Sequence, residues 1–276
     1  MKTRISLFIS LCLLWLISVE ALGQGDLMIY PKRLVFTPGQ RTMDITLVNT
    51  GSDSANYNIS WVNYRMTETG KFEEIDEPDP GMLFASSQLR FFPRSISLAP
   101  NEAQKIKVQL IRPQRLEKGE YRSHMMFKAA KPAAVLGEET TKTSSDGIST
   151  KLVMHFALTI PIIIESGDLQ GKASVSATLP YEKEDGTPVI DLTLTREGDK
   201  SMYGDIKAVH LSDEGVSREV AFVKGIAVYT PLDSRKYTLK LKDFPQTEWY
   251  NGEITIEYTA QEGKREVLAR EVIKLR

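Results

Sequence analysis

The chain has 276 residues, one cysteine, and 35 lysines and arginines against 36 aspartates and glutamates, for a formal charge of −1. That near-balance gives no electrostatic reason to expect nucleic acid or an anionic membrane as partner. The one cysteine, Cys12, sits in an apolar N-terminal run. Residues beyond that run take nothing from disulfides and must be held by packing.

Lys2 and Arg4 open the chain, Ile5 to Val19 is almost wholly apolar, and Ala21-Leu22-Gly23 puts small residues at the positions a signal peptidase reads. Residues 1–23 are therefore expected to be a secretory signal peptide, cleaved after Gly23. The apolar run is shorter than the roughly 20 residues a membrane-spanning helix needs. No small residue directly precedes Cys12, which argues against lipid attachment there.

From Asp26 onward strand signals dominate. Leu27–Tyr30, Leu34–Phe36, Met43–Val48 and Tyr57–Val62 are short and rich in β-formers, with turn residues between them at Pro38-Gly39, Asn49–Asp53 and Glu68–Gly70. Ile96–Leu98, Lys105–Ile111 and Tyr121–Lys128 continue the series, with Ile106, Val108 and Leu110 expected inward. No segment here carries a helical stripe. About seven short strands at this spacing predict a β-sandwich.

Ala129 to Thr150 breaks the pattern with Ala, Pro, Gly, Ser, Thr and Glu, and is expected to be a loop. Lys151 to Pro161, KLVMHFALTIP, then reads as a strand that continues through Ile164 and ends at Glu165-Ser166-Gly167. Leu152, Met154, Phe156, Leu158 and Ile160 share one face; Val153, His155, Ala157 and Thr159 share the other. A second series follows at Lys172–Leu179, Val189–Thr195, Gly204–Leu211, Glu219–Tyr229, Arg235–Leu241, Glu253–Thr259 and Val267–Leu275. It is punctuated by Asp185-Gly186, Glu197-Gly198 and Glu214-Gly215. The expected organisation is all-β: two sandwiches in tandem over residues 24–166 and 167–276.

Chemistry-bearing motifs are sparse. His124, His155 and His210 lie far apart without metal-ligand spacing, and no nucleophile elbow, zincin helix motif or phosphate loop occurs. The acidic run Glu73, Glu74, Asp76, Glu77 and Asp79 falls in a polar, turn-rich segment and reads as solvated loop. No metal and no cofactor is expected. Glycosidases carry two catalytic carboxylates without a motif, so an enzyme stays open as a minor alternative.

Arg33-Leu-Val-Phe36, Met43-Asp-Ile-Thr-Leu-Val-Asn49 and Trp61-Val62, in that order, carry a family likeness. Ile96-Ser-Leu-Ala-Pro-Asn-Glu-Ala-Gln-Lys-Ile-Lys-Val108, Gly119-Glu-Tyr-Arg122 and Val153 to Ile164 extend it. Together these segments resemble periplasmic pilus-assembly chaperones of the chaperone–usher type, over about residues 27–165. The resemblance implies two immunoglobulin-like domains and no enzymatic activity. It further implies that the last strand of the first domain lends apolar side chains to a pilus or other surface-protein subunit lacking one strand of its own.

On that resemblance the donor row is Leu152, Met154, Phe156, Leu158 and Ile160, with the central three aligning best. Burying those three in a client would contribute roughly 5–9 kcal/mol gross, much of it offset by ordering and association. The family anchors its client's terminal carboxylate between an arginine and a lysine. Arg33 matches the arginine, but Ile163 stands at the lysine position, which leaves three alternatives: the anchor is incomplete, it recruits Lys32, or the client presents no terminal carboxylate there. The resemblance also implies a periplasmic location, an outer-membrane usher as a second partner, and a self-capping dimer as an alternative use of the edge. Glu120, Tyr121 and Arg122 are expected to support the fold. The competing reading is a secreted structural or adhesion-type sandwich in which residues 152–160 are covered within the chain.

Overall fold

The computed structural model describes residues 27–130 and 157–275, apart from 262 and 264. The expected signal peptide, the predicted loop from residue 131 onward, and Leu152, Met154, His155 and Phe156 of the predicted strand lie outside the described residues.

Eleven strands build the first sandwich and its appendage. They are β1 (Leu27–Tyr30), β2 (Leu34–Phe36), β3 (Thr42–Asn49), β4 (Ala55–Val62), β5 (Tyr64–Met66), β6 (Phe72–Glu74), β7 (Leu89–Phe92), β8 (Ser95–Leu98), β9 (Ala103–Leu110), β10 (Gly119–Ala129) and β11 (Ala157–Ser166). One sheet runs β1-β3-β9-β7, the facing sheet runs β2-β11-β10-β4-β8, and β5 and β6 form a separate hairpin. Alternation is the reason for the layering. In β9, Ile106, Val108 and Leu110 are buried while Lys105, Lys107 and Gln109 are exposed, so the two sheets meet through every second side chain. Phe36, Ile45, Leu47, Ile106, Met125, Phe127, Ile162 and Ile164 fill the space between them.

The second sandwich holds β12 (Gly171–Ala177), β13 (Tyr181–Glu182), β14 (Pro188–Gly198), β15 (Met202–Leu211), β16 (Ser217–Val228), β17 (Ser234–Lys240), β18 (Glu253–Ala260) and β19 (Val267–Lys274). β14 pairs with β12, β13 and β17, and the opposing sheet runs β16-β15-β18-β19. Ile190, Leu192, Leu194, Ile206, Ile254, Ile256 and Tyr258 form its core. The predicted all-β, two-sandwich organisation is what the structure shows.

Four strands escaped the sequence reading: β5, β6, β7 and the two-residue β13. β6 corrects the expectation of a plain loop around Glu73 and Glu74. All three of its residues are exposed, so it has no burial alternation to betray it. It is held by its register with β5 and by Arg65, which pairs with Glu73 at 3.3 Å and Asp79 at 3.2 Å.

β10 buries both faces. Tyr121, Met125 and Phe127 point into the first core, whereas Glu120, Arg122 and His124 are buried on the other face. The second sandwich covers Glu120 and Arg122 on that face, and the β5–β6 hairpin covers His124, which explains polar side chains without solvent. The Glu120 carboxylate accepts from the Ser201 backbone N–H at 2.8 Å, from the Ser201 hydroxyl, and from the Thr230 hydroxyl at 3.1 Å. Arg122 donates to the Thr230 carbonyl at 3.2 Å and lies over the Tyr229 ring at 4.3 Å. Tyr121 serves the first sandwich instead: its hydroxyl accepts from the Glu117 N–H at 3.1 Å and donates to the Glu117 carbonyl, bracing the turn into β10.

Candidate functional site

β11 changes neighbours along its length. Its whole span pairs with β10, from Ala157 opposite Lys128 to Ser166 opposite Gly119. On its other side β2 runs parallel to it only at Ile162, Ile163 and Ile164, opposite Leu34, Val35 and Phe36. Residues 157–161 therefore form a sheet edge with no strand beside it among the described residues. Pro161 stands at the last position of that edge, where a proline's missing N–H is tolerated.

The even-numbered residues of β11 point into the first sandwich. Ile162 and Ile164 are fully buried there and Ile160 is 4% exposed, but Leu158 is 41% exposed. Ile160 is thus a correction to the predicted donor row: the chain's own core already occupies it. Leu158, one turn of the pleat further out, belongs to the same face and emerges from that core. The odd-numbered face leads elsewhere. Ile163 is buried with Met66, Ala227 and Tyr229 in a small apolar cluster joining the two sandwiches. Thr159 and Pro161 line a cleft.

That cleft, of about 490 Å³, opens between the sandwiches beside the β11 edge. Lys32 and Arg33 enter it from the segment before β2, and Arg235 enters from β17. Tyr64, Phe72, Tyr203 and Tyr229 provide aromatic walls, and His124 closes one side. Arg33, the residue singled out in the sequence, is stacked 4.4 Å from the Tyr203 ring centre and donates to the Tyr229 hydroxyl at 3.5 Å. It is held by the second sandwich while its own backbone belongs to the first.

His124 is 4% exposed and packs edge-on against Tyr64 and Phe72, with ring centres 5.1 and 5.4 Å away. Burial, with the nearby Arg122 guanidinium as the second cause, pushes its pKa down to about 3, so the ring is neutral near neutral pH. Arg235 donates to the Ala227 carbonyl at 2.7 Å, and burial lowers its pKa from the ordinary arginine value. The tip of the β5–β6 hairpin leans over it. Gly70, at φ +77°, has the Arg235 guanidinium where a Cβ would stand, and the Lys236 N–H donates to the Glu68 carbonyl at 2.7 Å.

No protein-family model matches the chain, and no curated protein matches it. Solved structures it is similar to include chaperones. The YadV chaperone aligns with 91% of this chain and 100% of its own, with a TM-score of 0.47 and 11% identity. The class 5 fimbriae chaperone CfaA aligns with 91% of this chain and 100% of its own, with a TM-score of 0.45 and 15% identity. The E. coli chaperone DraB covers 91% of this chain and 96% of its own, with a TM-score of 0.44 and 12% identity.

The other sequence candidates are dispersed. His210 is buried in the second sandwich against Phe244, its Nε2 bonded to the Asn251 carbonyl at 2.7 Å. Among the described residues no group of three or more His, Cys, Asp or Glu is placed to hold a metal ion. His124 was considered in the sequence only as a metal ligand and set aside, and Arg235 and Tyr229 were not singled out. They come from β10, β17 and the residue just after β16, so no local motif could have joined them.

Proposed function

We propose that the protein is a periplasmic chaperone that holds a pilus or other surface-protein subunit by lending it the free edge of β11. The observation that carries this reading is the unpaired edge at residues 157–161 with Leu158 exposed on it. An open edge of this kind offers backbone hydrogen bonds to a partner strand and invites uncontrolled association unless it is used. Leu152, Met154 and Phe156 extend the same face in sequence, and with Leu158 they form the row that would fill a client's open core. Ile160 anchors the row to the chaperone. Arg33, beside the edge in the cleft, is assigned the client's terminal carboxylate, which a guanidinium can bind through two hydrogen bonds. Delivery to an outer-membrane usher, export by the signal peptide and absence of catalysis complete the proposal.

The test is co-expression in the periplasm with a fibre subunit that lacks one strand of its sandwich, comparing wild type with Phe156→Glu and Leu158→Glu. Capture by wild type and loss with folded variants is the expected result. Capture undiminished in both variants, or no complex with wild type, would remove strand donation as the function.

A further inference from the structure

One sheet of the first sandwich, β1-β3-β9-β7, turns an outer face away from the core, and that face is not an ordinary polar one. The ladders set its side chains in rows. Tyr30 lies opposite Thr46, which lies opposite Lys105; Asp44 lies opposite Lys107, which lies opposite Phe92; Gln109 lies opposite Arg90. Three large apolar side chains are exposed here: Tyr30 at 71% and Phe92 at 76%, on the two outermost strands, and Met28 at 50%. Arg90, Lys105 and Lys107 are exposed on the same face, against the single carboxylate of Asp44. Glu102, at the rim before β9, has its carboxylate accepting from the Ala99 N–H at 2.7 Å. The near-balance of charge over the whole chain conceals this local excess of cations.

Single exposed apolar residues need no explanation, but two aromatic rings at opposite edges of a basic sheet face ask for a partner. The charges call for an anionic one. Both rings project from the sheet and line no socket, so they suit a soft phase that yields around them better than a folded protein, which must present a matching pocket. Aromatic rings and long cationic side chains are the groups that settle at the headgroup level of a bilayer. We infer that this face docks the protein reversibly on an anionic phospholipid bilayer. Arg90, Lys105 and Lys107 meet the lipid phosphates while Tyr30 and Phe92 enter the headgroup layer. Basic charge and apolar side chains together supply the two signals that peripheral attachment requires. β11 belongs to the facing sheet, so docking leaves residues 157–161 accessible, and the inference stands apart from the strand-lending reading.

The experiment is cosedimentation with vesicles of phosphatidylcholine alone and of phosphatidylcholine mixed with phosphatidylglycerol. The protein is purified from the periplasm of a producing host and its N-terminal residue is read by mass spectrometry, so that the apolar run Ile5–Val19 is known to be absent. Partitioning is expected to be at least roughly tenfold stronger on the anionic vesicles and to fall steeply with added salt. The double variant Lys105→Gln, Lys107→Gln should weaken it by roughly tenfold or more, the scale of two cations near an anionic surface. Tyr30→Ser with Phe92→Ser should weaken it as well. The pair Lys172→Gln, Lys240→Gln makes the same charge change at exposed positions of the second sandwich and should leave partitioning as in wild type. Equal partitioning on neutral and anionic vesicles, which needs no variant, overturns the inference. So does wild-type partitioning of the Lys105, Lys107 variant, and so does an equal loss from the second-sandwich pair. Binding to soluble polyglutamate without partitioning onto vesicles would make the face a site for an acidic protein and sink the membrane assignment.

Discussion

Leu158 lies directly across the β10–β11 ladder from Phe127, yet Phe127 is 1% exposed and Leu158 is 41% exposed. Cross-strand partners share a face, so both point toward the first core. The difference is lateral. Phe127 has β4 and β11 on its two sides, whereas Leu158 has β10 on one side and no strand on the other because β2 pairs no further than Ile162.

Leu158→Glu should therefore leave the isolated protein folded, with stability changed by less than about 1 kcal/mol, as for surface substitutions. Ile160→Glu, two residues along, buries an unpaired charge and should prevent folding or cost more than about 4 kcal/mol. Urea unfolding followed by circular dichroism checks both. Equal damage from the two variants would mean that Leu158 is part of the core and the edge is not free.

Glu120→Ala should cost about 3 kcal/mol, because the Ser201 N–H, Ser201 hydroxyl and Thr230 hydroxyl lose their shared buried acceptor. The damage should concentrate at the junction. Small-angle scattering is expected to show a wider spread of distances between the sandwiches, with the strand content unchanged. A native scattering profile and native unfolding midpoint would show that the carboxylate does not lock the two halves.

His124 gives the fold a pH dependence whose sign follows from its depressed pKa of about 3 against an ordinary 6.5. Above pH 6.5 the ring is neutral in both folded and unfolded chains, and this stabilising contribution is fully present. As pH falls from 6.5 toward 3, the unfolded chain binds a proton that the folded one refuses. Stability then drops by up to about 1.4 kcal/mol per pH unit. His124→Phe should remove that part of the slope between pH 7 and pH 5, read from urea midpoints. Parallel pH profiles for variant and wild type would place the imidazole in contact with solvent.

Tyr258→Phe should cost about 1 kcal/mol, since the Tyr258 hydroxyl donates to the buried Ile226 carbonyl at 2.8 Å. That carbonyl lies beside a register shift between β15 and β16, where the ladder leaves groups to be satisfied from the side. A fall in melting temperature of a few degrees is the expected reading, and no change would show that the carbonyl finds another donor.

The strands that were legible in the sequence are those whose faces differ chemically. β9 shows it in Lys105 to Leu110, where polar and apolar residues alternate and the burial follows them. β6 was not legible because Phe72, Glu73 and Glu74 are all exposed and the strand exists through its partner. For the site, Arg33 and the apolar row ending in Leu158 and Ile160 were marked by local order, but the row's division between core and edge was not. Ile160 and Leu158 are both large and aliphatic on the same face, and nothing in either says where β2 stops.

By itself the sequence determined the all-β class, the run of strands in two series, and the face of KLVMHFALTIP that carries the large side chains, because each follows from period-two alternation and turn residues close together in the chain. Only the tertiary structure decided that Ile160 is core and Leu158 is edge, that Glu120 and Arg122 are buried at the junction, and that Arg33 shares a cleft with His124 and Arg235. Those outcomes depend on strand pairing and packing between residues as far apart as Arg33 and Arg235, and no local pattern encodes a neighbour two hundred residues away.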